Sequence, residues 1–173
     1  LLTSDNQTIT TNSLIVVTTD GVAIVDGQDN PEQGLAMVEA IKKLTPQPVK
    51  YMIIASDHVD HVGANTTLKA AWPNMVFVSS PASKQTMIAD KREIVASELV
   101  ADTKKLSIGG TELEIDNLGR GHTGGDLVVY LPQSKVMFMS ELYTRDIFPP
   151  MITGFPREWA ATIRRSEEHT SEL

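Results

Sequence analysis

Val49-Lys50-Tyr51-Met52-Ile53-Ile54-Ala55, followed at once by Ser56-Asp57-His58-Val59-Asp60-His61-Val62-Gly63, is the stretch that decides how this chain folds. Its first seven residues are a mostly continuous apolar run, as a strand buried on both faces requires. The next eight are polar and charged, and Asn65 to Ala71 then reads as a helix. His58, Asp60 and His61 therefore leave the end of a buried strand in a turn. Residues at i, i+2 and i+3 cannot all face one way on a strand. In a turn they can converge on one ion or divide between two adjacent ions. Imidazole and carboxylate are the donors that suit zinc and similar divalent metals where no thiolate is present, and the chain has no cysteine. Gly63 lets the backbone turn closely into the next helix. A polar surface loop with Asp60 capping that helix is the plainer reading of the same residues.

Upstream, Leu14 to Thr18 and Val22 to Val25 are short β-branched runs around Asp20-Gly21, which reads as a hairpin. Asn30-Pro31 opens a helix with a capping side chain and a proline at the first helical position. Leu35, Val38, Ile41 and Leu44 recur at helical spacing, and Pro46 and Pro48 end the pattern. Downstream, Met75 to Ser79 reads as a strand and Ser83 to about Leu99 as a helix. Lys104 to Ile108 and Thr111 to Ile115 read as strands around Gly109-Gly110. Leu127 to Leu131 and Val136 to Met139 are two more, joined through Pro132, and Pro156 begins a last helix. Interspersed strands and helices with hairpins at both ends predict a mixed α/β layered domain (α+β in its hairpins) rather than a purely parallel sheet.

A second histidine-bearing segment is Gly119-Arg120-Gly121-His122-Thr123-Gly124-Gly125-Asp126. Its glycines allow a tight loop that brings backbone and imidazole close to a ligand. Gly119-x-Gly121-x-x-Gly124 spells a dinucleotide fingerprint, but it precedes a strand instead of opening a helix. There is no Gly-x-Ser-x-Gly elbow for a serine nucleophile and no P-loop. The 173 residues suffice for one domain, and 41% hydrophobic with 21% charged residues supports a core. A net charge of −7 argues against nucleic acid or an anionic membrane surface as partner. The absence of cysteine excludes disulfides and cysteine nucleophiles. No apolar run approaches the ~20 residues of a membrane span.

Together these residues resemble the metallo-β-lactamase fold superfamily, whose first motif is His-x-His-x-Asp-His after a buried strand and whose second is a loop of the Gly-His-Thr-x-Gly-Asp type. His58, Asp60 and His61 match the last three ligands of the first, and Gly121 to Asp126 match the second. Asp20-Gly21 and Val25-Asp26 look like the family's opening hairpin. Val136-Met137-Phe138-Met139-Ser140-Glu141-Leu142 looks like its strand ending in a bridging aspartate. The resemblance runs from about Asn12 to Arg164. It implies an αββα sandwich with a metal cleft at one edge, and a metal-dependent hydrolase in which one or two ions, zinc in the first instance with iron or manganese as alternatives, activate a water. His58 and His122 would hold the first ion, Asp60 and His61 the second, and Glu141 would bridge, with Asp60 also assigned a catalytic role. The substrate would be a small molecule carrying an ester, thioester, lactone, lactam or phosphodiester.

The sequence departs from the family at three places. Ser56 stands where the family has its first histidine, and Glu141 where it has aspartate. The family's last histidine lies beyond the helix that begins near Pro156. Arg165-Ser166-Glu167-Glu168-His169-Thr170-Ser171-Glu172-Leu173 reads as an in-frame adaptor scar. This gives an incomplete metallo-β-lactamase-like domain over 1–164, lacking its last strands and helix, and a non-native tail over 165–173 that excludes His169 as a ligand. Two alternatives stay open: a degenerate, non-catalytic binding protein, which Ser56 and Glu141 suggest, and an iron-dependent oxidoreductase on the same fold. Thr144 to Phe155 is a candidate wall for a substrate cleft, and Trp72 and Trp159 read as packing residues. Localisation, cytoplasmic or periplasmic, and oligomeric state are left open.

Overall fold

The computed structural model describes residues 2–5 and 10–170. One sheet contains β1 (Leu2–Asp5), β2 (Thr10–Val17), β3 (Val22–Val25), β4 (Val49–Ile53), β5 (Val76–Ser79) and β6 (Glu98–Leu99), hydrogen-bonded in that order. The first two pairings are antiparallel and the remaining three parallel. The parallel steps are made by α1 (Pro31–Leu44), by α2 (Val59–Val62) with α3 (Asn65–Ala71), and by α4 (Pro81–Ala89). The second sheet is antiparallel, in the order β10 (Val136–Phe138), β9 (Val128–Leu131), β8 (Thr111–Asp116), β7 (Thr103–Ile108). A final helix, α5, spans Pro156–Thr170.

Strand alternation sorts the apolar residues into layers. All four β3 side chains are buried, but Ala23 and Val25 face the second sheet while Val22 and Ile24 face the helices. In β4 and the residue or two after it, Ile53 and Ala55 turn inward and Met52 and Ile54 turn outward. Ile108, Leu113, Ile115, Leu127 and Val129 complete the core between the sheets. Met37, Val38, Ile41, Leu68 and Met87 cover the outer face of the first sheet. Trp159 of α5, with Leu118, Val128 and Leu142, covers part of the outer face of the second. The result is a helix–sheet–sheet–helix sandwich, the architecture expected from the sequence.

Two expectations need correction. The reading of Ser83 to Leu99 as one helix is wrong in extent: α4 ends at Ala89, and Glu98–Leu99 is a strand. The stop is a Schellman motif, with Lys91 N–H bonded to Ile88 O and Arg92 N–H to Met87 O. Lys91, at φ +56°, takes the left-handed position usually given to glycine, so the sequence carries no punctuation there. In α1, Asn30 does cap the helix, accepting from Gln33 N–H at 3.0 Å. However, Leu35 and Leu44 are 59% and 67% exposed, and the buried face is Gly34, Met37, Val38 and Ile41. Gly34 belongs to it because a Cβ there would lie 2.9 Å from Ala64 Cβ.

These exposures predict different mutational costs on one helix. Ile41→Ala should destabilise the protein by about 2–5 kcal/mol, whereas Leu44→Ala should stay within about 0.5 kcal/mol. Urea denaturation of the two variants measures both.

Candidate metal centre

Strand direction gathers the site. β3, β4 and β5 run parallel, so the segments that follow them emerge at one edge of the sheet. Asp26 follows β3, and Ser56 to His61 follow β4. β9 and β10 are antiparallel, so the loop before β9, with His122, and the turn after β10, with Glu141, meet at one end of that pair. Leu127 N–H donates to Ala55 O at 3.0 Å and ties the two sheets together at this edge.

All five residues singled out in the sequence come together here. Glu141 lies at the centre. Its Oε1 is 3.0 Å from His122 Nε2, and its Oε2 is 3.0 Å from His58 Nδ1 and 3.6 Å from His61 Nε2. His58 Nδ1 and His122 Nε2 are 3.2 Å apart, and Asp60 Oδ2 lies 3.6 Å from His61 Nε2. The donor atoms form two groups, His58–His122–Glu141 and Asp60–His61–Glu141, each within 4.8 Å. Glu141 belongs to both. Three imidazoles and two carboxylates crowded around a shared point form a donor set suited to divalent metals.

Neighbouring groups fix the orientation of each imidazole. His61 Nδ1 pairs with Asp26 Oδ2 at 2.9 Å, which aims Nε2 into the site. His58 Nε2 meets Thr153 Oγ1 at 2.9 Å, which aims Nδ1 inward. Buried His122 packs edge-on against both His58 and Trp159. Its loop is held by Asp126, which accepts from Thr123 N–H and Oγ1. α5 anchors the same loop through a two-pronged Arg120–Glu158 pair. Gly125 is required by close packing, since a Cβ there would lie 2.3 Å from Ser80 Oγ.

Asp26 does more than hold His61. Its Oδ1 accepts from Ala55 N–H at 2.8 Å and Ser56 N–H at 3.2 Å, and its Oδ2 also accepts from Ser140 Oγ at 2.5 Å. Both Asp26 and Ser140 have positive φ, +59° and +49°. Conformations of this kind cost of order 1–3 kcal/mol each and persist only where the surroundings enforce them. In the sequence Asp26 reads only as part of a hairpin, and Ser140 and Thr153 carry no signal of a role. The one available signal was an acid directly after a buried parallel strand. Asp57, beside the motif, is in neither donor group, and burial raises its pKa.

The charges are strongly coupled. Burial opposes protonation of His61, but the Asp26 carboxylate outweighs it, with Glu141 and Asp60 adding to the effect, and its pKa is pushed up to about 9. Burial works to raise the pKa of Glu141, yet hydrogen bonds from His122 and His58 and the charge of His61 hold it well below the usual carboxylate range. Burial pushes Asp126 up to about 6 against its Thr123 hydrogen bonds.

Beside the centre opens a cavity of about 550 Å³. Asp60, His61 and Glu141 form its polar end, and Met137, Phe138 and Tyr143 are among its apolar walls. Thr144, Arg145, Ile147 and Pro150 also line it, so part of the segment expected to wall a cleft does so. Trp159 is buried, with its indole N–H donated to Leu142 O, and is a packing residue as expected. Among the described residues no helix is long and apolar enough to cross a membrane.

An αββα sandwich with a histidine–carboxylate cluster at the sheet edge defines a class of metal-binding domains. Residues 8–165 match the family model described as the metallo-beta-lactamase superfamily, and the chain belongs to that superfamily. It is 27% identical over 133 residues to metallo-beta-lactamase IND-1 of Chryseobacterium indologenes, covering 73% of this chain and 52% of that protein. It is 26% identical over 133 residues to metallo-beta-lactamase type 2 of Bacillus sp. (strain 170), covering 77% and 51%. The chain thus spans about half the length of these relatives. A metallo-beta-lactamase from Pontibacter korlensis shares the fold, with a TM-score of 0.87 at 24% identity over 98% of this chain and 80% of that one.

The His61–Asp26 pair predicts a pH dependence for the metal-free protein. His61 has a folded pKa of about 9 and an ordinary value of 6.5. Its contribution is complete below pH 6.5 and is lost as pH rises through 9, on the order of 3 kcal/mol in all. Glu141, lowered on folding, contributes above its ordinary value of 4.5 and loses that contribution in acid. Thermal melts of the chelator-treated protein should therefore show highest stability between these limits. Asp26→Asn should flatten the alkaline fall, and an unchanged alkaline limb would contradict the pairing.

Proposed function

We propose that this protein is a metal-dependent hydrolase that uses a metal-activated water to cleave an ester, thioester, lactone, lactam or phosphodiester, with zinc as the ion. The observation that carries this reading is the convergence of His58, Asp60, His61 and His122 on Glu141 beside an open cavity. Membership of the superfamily supports it. That the relatives above are named as beta-lactamases supports the lactam among these bonds.

The residues present fit such an ion. Only nitrogen and oxygen donors are offered, from three imidazoles and two carboxylates, and with three donors in each group a four-coordinate ion would have one further position to fill. His58, His122 and Glu141 would hold one ion, and Asp60, His61 and Glu141 a second. When bound, such an ion lowers the pKa of a coordinated water and polarises the bond to be cleaved. The remaining work falls to the chain. Asp26 and Thr153 keep His61 and His58 turned so that Nε2 and Nδ1, respectively, face the centre. Asp60 Oδ2, at the cavity wall and within 3.3 Å of Thr11 Oγ1, would orient the attacking water and take its proton. The apolar walls would seat the body of a small substrate. A cavity of about 550 Å³ lies within the size range of small-molecule sites.

The test is hydrolysis of a panel with one chromogenic substrate for each bond type, before and after metal removal. Turnover of one substrate should disappear with chelation and return with zinc. Asp60→Ala and His122→Ala should lower kcat/KM by about 100-fold or more. Equal rates with and without metal would overturn the reading. Ion uptake without turnover of any bond would favour a non-catalytic binding protein.

A further inference from the structure

Ser56 is fully buried and cannot turn its hydroxyl toward water. Its backbone N–H is fixed on Asp26 Oδ1, and its Oγ accepts from His58 N–H at 3.4 Å. The hydroxyl proton is then directed at Glu141 Oε2, 2.5 Å away. That oxygen is the one shared by His58 Nδ1 and His61 Nε2. A larger side chain at position 56 would enter the volume now filled by the Glu141 carboxylate, and a shorter acid at position 141 would draw back from the hydroxyl. The two side chains are therefore geometrically coupled.

We propose that Ser56 and Glu141 are a coupled pair, in which the serine is a positioning residue that locks the longer carboxylate between the three histidines and makes Glu141 a direct ligand in both ion positions. The inference rests on the metal-dependent reading above and adds what holds its shared ligand in place. The first position becomes a two-imidazole, one-carboxylate site and the second a one-imidazole, two-carboxylate site. Ser56 is then not a lost ligand but the support for a replacement one. Groups that orient a metal ligand in this way change metal affinity about 10–100-fold when removed.

The test is Co(II) titration of the 173-residue chain, followed by the visible absorption of the bound ion and by calorimetry, in a double-mutant cycle. Ser56→Ala should weaken Co(II) binding about 10–100-fold and alter its spectrum. Glu141→Asp should weaken it comparably, and Ser56→Ala/Glu141→Asp should be no weaker than Glu141→Asp alone, because the interaction is already gone. Glu141→Gln, read separately in case Ser56→Ala fails to fold, should reduce uptake at both positions. Wild-type affinity and spectrum in Ser56→Ala, strictly additive losses in the cycle, or full two-ion uptake by Glu141→Gln would each overturn the pair. If the unmutated chain takes up no Co(II), the metal reading itself fails, which is a different result from unchanged uptake in Ser56→Ala.

Discussion

The buried carboxylate of Asp26 is the constraint on which the rest of the site depends. It accepts from the backbone of Ala55 and Ser56, from the His61 ring and from the Ser140 hydroxyl. These partners come from the end of β4, from α2 and from the turn after β10. One side chain thus binds the segment that carries His58, Asp60 and His61 to the turn that carries Glu141. Burial strengthens each bond and makes each unsatisfied partner costly. The strained backbone at Asp26 and Ser140 is maintained by this convergence, and it places Glu141 over the histidines.

The fold contributes direction and rigidity. Parallel strands send Asp26 and the Ser56–His61 segment to one edge, and the β9–β10 pair brings His122 and Glu141 there from the other sheet. α5 reinforces the second half: Trp159 packs on His122, Arg120 pairs with Glu158, and Thr162 Oγ1 donates to Arg120 O. The histidine loop is therefore clamped between a glycine-permitted contact with Ser80 and a helix. Such rigidity matters in a site where misplaced donors lose affinity.

Much of this was legible in the sequence, and what was missed has physical reasons. The buried strand Val49 to Ala55, the helix Asn65 to Ala71 and the histidine segments could be read because period, proline and glycine mark them. The layered α/β class and the convergence of His58, Asp60, His61, His122 and Glu141 agree with that reading. The end of α4 could not be read, because Lys91 occupies the left-handed position where glycine would have announced the stop. The buried face of α1 differs from the periodic pattern at Leu35 and Leu44, because a close approach at Gly34 centres the contact on Gly34, Met37, Val38 and Ile41. Asp26, Ser140 and Thr153 were missed because their importance lies in partners distant in sequence: Asp26 and Ser140 are 114 residues apart.

Whether this hydrogen-bonded cluster is a metal centre built around Glu141 is tested most directly by anomalous diffraction at the zinc absorption edge, on crystals of the zinc-loaded protein. An anomalous peak is expected within bonding distance of His58 Nδ1, His122 Nε2 and Glu141, with a second ion on Asp60, His61 and Glu141. Ordered zinc elsewhere on the molecule, with the histidine–glutamate contacts intact and no peak between them, would contradict it.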